Sequence, residues 1–148
     1  MGDFFMNKDV EFLDYIYQNA EMGLIGIDQI IERVDNEELE HLILEQRSEY
    51  AHIMEDAKEI YKKYGKDEKE LSKLTKISSN IMTEMMMLAK KGETNVIAKM
   101  MIEGSNKGII AITEKLNKYE NSDEEIKSLA EKLLATEQHN LDELKKYL

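Results

Sequence analysis

Glu49 and His52 stand three residues apart in the run SEYAHIM, Ser48–Met54. On an α-helix that spacing puts a carboxylate and an imidazole on neighbouring positions, where both can ligate one metal ion. A dinuclear carboxylate centre in a helical bundle needs inward-facing ligands from four helices and a second Glu-x-x-His. The candidate metal ligands are Glu49, His52, Glu103 and Glu137, with Glu21 and His139 as further donors. Glu21 and Glu49 lie equally far from Asp35, and Glu103 and His139 nearly equally far from Glu120. If turns fall at those two points, four helices each bring one donor to a shared height.

Direction argues against that set. At roughly 100° per residue, Glu21, His52 and His139 lie about 120–150° from the centres of their helices' apolar stripes. Glu103 is also off its stripe, and Glu49 alone flanks one. Thr136, not Glu, stands three residues before His139. His41, His52 and His139 are expected as surface imidazoles.

The polar residues that do point inward are Gln46, Glu137 and Asn140. Gln46 lies at the centre of one stripe, and Glu137 at the centre of another with Asn140 beside it. Gln46 and Glu137 are expected to be level, with Gly23 and Gly104 at the same height on two other helices. A buried carboxylate needs a partner or a proton. One reading is a Gln46–Glu137 hydrogen bond that fixes helix register. The other is a small polar cavity for water, a metal or a small ligand, with Glu49 and Tyr17 at its edge.

Five periodic segments must position these residues. Segment A runs from about Asn7 to Val34, with Leu13, Ile16, Ala20, Leu24 and Ile27 on its stripe. Segment B follows to Tyr64, opened by an Asp35/Glu38 capping pair and closed by Gly65. Segment C spans about Asp67 to Gly92, and D runs from Thr94 to about Tyr119. D is apolar around most of its circumference and is expected to be the most buried. Segment E opens with a Ser122/Glu125 capping box and carries Ile126, Leu129, Leu133, Glu137 and Leu144. The spacing predicts an all-α, single-domain chain over residues 1–148. A, B, D and E form a four-helix bundle, with C as a helical crossover that leaves D parallel to B.

Composition agrees with that class. The 148 residues include no proline, tryptophan or cysteine and only 7 glycines. Absence of cysteine excludes disulfides, thiol nucleophiles and thiolate metal sites. Net charge is −11, which disfavours nucleic acid and anionic membrane as partners. The first residues carry no signal-peptide pattern and no stretch approaches a membrane span, so a cytoplasmic protein is expected. Met82, Met85, Met86, Met100 and Met101 read mainly as core packing. Met22, Ile25 and Met87 are stray apolar sites where a homo-oligomer contact would fall. There is no phosphate loop, G-x-S-x-G, H-E-x-x-H or EF-hand loop.

Two helical hairpins joined through "SSNIMTEMMMLAKKGETNVIAKMMIEGSNKG", and a late His in "ATEQHNLDEL", resemble a bacterial ferritin-like family of uncharacterised function. The resemblance covers about Asn7 to Leu148 and rests on diffuse helical patterns. It implies a ferritin-like bundle. Through the wider superfamily it implies iron or manganese as a divalent partner, and peroxide or dioxygen as substrate. The competing expectation is a bundle without catalysis, acting as an interaction or assembly component.

Overall fold

The structure is a computed structural model and describes residues 2–66 and 93–148. Segment C, with Met82, Met85, Met86 and Met87, lies outside the described residues. Those described form four α-helices: α1 (Gly2–Ile30), α2 (Glu37–Lys63), α3 (Thr94–Lys118) and α4 (Glu124–Leu144). Short 3-10 turns follow α1 (Ile31–Arg33) and α4 (Lys145–Tyr147). There is no strand among the described residues, so the all-α expectation holds.

The helix boundaries follow from local chemistry, with two corrections. The side chain that caps α2 is Asn36, not Asp35; it accepts from the Leu39 backbone N–H at 2.9 Å. Asp123, not Ser122, caps α4 and accepts from the Glu125 N–H at 2.8 Å. Ser122 instead donates to the Tyr119 carbonyl at the end of α3. In both cases the capping oxygen sits on the last non-helical residue, where it reaches the exposed N–H groups of the first turn. After α2, Gly65 takes φ = 73°, a left-handed conformation that costs glycine little and ends the helix as expected.

Packing sets the helix directions. Lys63–Glu125, Asp56–Lys132 and Tyr50–Glu137 link α2 to α4, descending one helix while ascending the other. These two helices are therefore antiparallel. Phe12 stacks on Tyr119, and Asn19 donates to the Gly108 carbonyl, which makes α1 and α3 antiparallel too. Arg47 forks onto Asp28 across the α1–α2 hairpin, at 2.6 and 3.2 Å. It follows that α2 and α3 run in the same direction, as the crossover reading required.

The core is continuous and largely aliphatic, with Leu13, Ile16, Ile27, Ile53, Ile126 and Leu133 at its centre. Burying each such side chain contributes about 1.5–3 kcal/mol. One expectation fails here: α3 is not wrapped on all sides. Ile97, Met100, Met101, Ser105 and Ile112 face inward, but Ile110 is 52% exposed and, among the described residues, a Cβ on Gly104 meets nothing within 4 Å. Part of the side of α3 nearest α1 borders a groove.

Candidate functional site

The groove has a volume of about 440 Å³ and runs between α1 and α3. Ile27, Met100, Met101 and Ile112 supply apolar wall; Glu137 and Tyr50 reach its floor from α4 and α2. Glycines make this geometry. A Cβ on Gly23 would fall 2.7 Å from the Tyr50 ring, so α1 must be bare there for Tyr50 to cross toward α4. A Cβ on Gly108 would meet the Glu137 carboxyl at 3.3 Å and Asn19 at 3.2 Å. Gly104 leaves open space beside them.

Glu137 is 2% exposed. Its Oε1 accepts from the Tyr50 hydroxyl at 2.7 Å, and its Oε2 makes no hydrogen bond. Burial raises this carboxyl from 4.5 to about 7, against the neighbouring Tyr50 and Ser105 hydroxyls, which favour its ionised form; Glu49 adds to the rise. Burial, then the negative charge of Glu137, pushes the Tyr50 hydroxyl well above the usual tyrosine value, so Tyr50 remains a donor. Glu49 is half-buried and also raised, chiefly by burial, with the nearby His139 opposing the shift.

Among the described residues, the buried polar ones are Gln46, Ser105, Glu137 and Asn140, which includes the three singled out in the sequence. Their pairing differs from expectation. Glu137 bonds Tyr50, not Gln46, and neither Gln46 amide atom makes a hydrogen bond. The α2–α4 register explains it: Tyr50 is level with Glu137, and Gln46, a turn away, is level with Asn140. Asn140 Nδ2 is also without a hydrogen bond. Four orphaned buried atoms thus fall in one layer of a protein whose remaining core is mostly aliphatic, where each costs about 1–3 kcal/mol. Tyr17 lies elsewhere, edge-on to Tyr61.

Among the proposed metal ligands, Glu137 is buried, Glu49 half-buried, and His52 and Glu103 exposed. Glu103 stands at the groove's rim. Among the described residues, no three His, Cys, Asp or Glu side chains gather where they could hold a metal ion. His41 is exposed and pairs with Glu45 at 3.0 Å, and His139 is exposed. Tyr50 and Ser105 are the site residues that sequence reasoning passed over. Tyr50 carried a signal, since it falls four residues after Gln46 and three before Ile53, on the same stripe. No described helix is long and apolar enough to cross a membrane.

No protein-family model, curated protein or solved structure matches this chain.

Proposed function

We propose that this chain is a ferritin-like bundle that works as a small-molecule binding protein, with the groove between α1 and α3 as its site. The parallel course of α2 and α3 supports the ferritin-like topology. One observation carries the binding reading: an apolar groove of about 440 Å³ ends on a buried carboxyl with an unpaired oxygen. Ligand sites commonly have about 300–1,000 Å³, mostly apolar walls and a few placed polar groups. An iron or manganese centre on Glu49, His52, Glu103 and Glu137 would need two exposed side chains to turn inward, so it fits less well.

Gly104 provides the test. A Cβ there meets nothing within 4 Å among the described residues, so a leucine side chain starts from open groove space. The intact protein is expected to bind the neutral apolar dye Nile red at one site per chain, and Gly104→Leu to lose that binding with its helical circular dichroism intact. No saturable dye binding, or equal binding by the variant, refutes the reading. Two Fe(II) per chain, lost in a Glu49→Ala/Glu137→Ala double variant, would place the protein among metal-binding bundles instead.

A further inference from the structure

We infer that the occupant of the groove is an amphiphile with a cationic amine head, held as an ammonium–carboxylate pair at Glu137 with its apolar chain along α1 and α3. This rests on the binding reading above and specifies the ligand's chemistry.

The floor offers Glu137 the hydroxyls of Tyr50 and Ser105, and among the described residues no cation pairs with it. Tyr50 spends its hydroxyl on Glu137 Oε1, leaving Oε2 buried and unpaired. A ligand carboxylate or carbonyl would add another acceptor there. An alcohol could donate but would leave the charge uncompensated. An ammonium supplies donors and the opposite charge, and a charge-assisted bond of that kind is the stronger one. A metal ion is the poorer match, because it demands several oxygen ligands and the described residues gather no such group.

The groove's length selects the rest of the molecule. Asn19 and Gly108 tie α1 to α3 near the carboxyl, and Phe12 stacked on Tyr119 ties them further along. In the other direction Ile27, Met100 and Met101 offer apolar wall, and methionine adapts to chains of varied shape. The net charge of −11 also draws cations toward the protein.

The groups around Glu137 make binding proton-linked. From α2 these are Tyr50, a donor, and Glu49, a second acid; on α4 His139 acts on Glu49. Ser105 of α3 and Asn19 of α1 are uncharged, while Glu103 and Lys107 of α3 stand at the groove's lining. An amine that pairs with ionised Glu137 must expel any proton there.

The experiment is calorimetric titration of the full chain with n-hexylamine, 1-hexanol and hexanoate, at pH 6 and pH 8.5, in buffers of different ionisation enthalpy. The amine is expected to bind at one site and release close to a full proton at pH 6 but almost none at pH 8.5. Hexanol should bind more weakly without proton release, and hexanoate should not bind. Glu137→Gln is expected to weaken the amine by about tenfold or more while leaving hexanol nearly unchanged. If Nile red and hexanol bind the groove as expected but the amine has no advantage, the amine assignment is wrong and the groove stands. If the amine binds with no proton release and no dependence on Glu137, it is held by the acidic surface and the assignment is wrong. If no probe binds, the groove reading falls and takes this one with it.

Discussion

Two levels of the bundle bury polar groups in opposite ways. Toward the start of α1, aromatic rings fill the space. Phe12 and Tyr119 stack at 5.0 Å, and Tyr17 meets Tyr61 edge-on. The hydroxyls of Tyr61 and Tyr64 donate to Asp14 and Asp9, so the rings lie inside and the charges near the rim. Around Glu137 the arrangement is inverted, with the carboxylate inside and its neighbours only partly able to bond it. The aromatic end leaves one buried polar atom unpaired, the Tyr119 hydroxyl, against four in the layer of Glu137. The carboxylate end is costly to bury, and that cost is the physical basis for reading it as a site.

Four variants separate the two regions, beginning with the largest effect. Phe12→Ala should destabilise the protein by about 3–5 kcal/mol, because a fully buried ring leaves a cavity. Urea melts read this directly, and a loss below about 1 kcal/mol would mean the aromatic end is not a rigid anchor.

Glu137→Gln comes next and should stabilise the protein, by an amount that depends on pH. The folded carboxyl titrates near 7, against 4.5 as its ordinary value, so the folded state holds the proton more tightly. No penalty exists below the lower value, where both states are protonated. The penalty grows as pH rises through that interval and is complete above the upper value, at an order of 3 kcal/mol. The variant's advantage in melts at pH 8 should therefore shrink strongly at pH 4.5. An advantage independent of pH would mean Glu137 is already solvated or paired.

The smallest effects come from two glycines that differ in surroundings. Gly23→Ala gains helix propensity but drives a Cβ into the Tyr50 ring, for a net loss of about 1–2 kcal/mol. Gly104→Ala meets nothing and should gain up to about 1 kcal/mol. Thermal melts of the pair that move in the same direction would contradict the close approach at Gly23 or the opening at Gly104.

Much of this architecture is legible from periodicity. The stripes place Leu13, Ile16, Ile53, Ile126 and Leu133 in the core, and the inward phase of Gln46, Glu137 and Asn140 predicts their burial. The off-stripe phase of His52, His139 and Glu103 likewise predicts their exposure. Pairing is harder, because heights counted from turns drift by a residue or more. A one-turn error joins Gln46 to Glu137 where Tyr50 belongs. Caps fail for a similar reason: Asp35 and Asn36, or Ser122 and Asp123, are all good cap residues, and only the backbone path selects one. The groove was least visible. An apolar helix looks buried from its composition, whereas the packing of α1 against α3 decides whether its face meets a partner.

The Tyr50–Glu137 bond also has a consequence in time. It joins residues 87 apart in the chain. The α1–α2 and α3–α4 hairpins close over short connections and can form early, since local contacts require little loop closure. The layer exists only when one hairpin docks on the other, so the buried carboxylate is assembled at the end of folding. Until then Glu137 stays in water, ionised and inexpensive, and the chain meets the cost of burying it only once most of its core is in place.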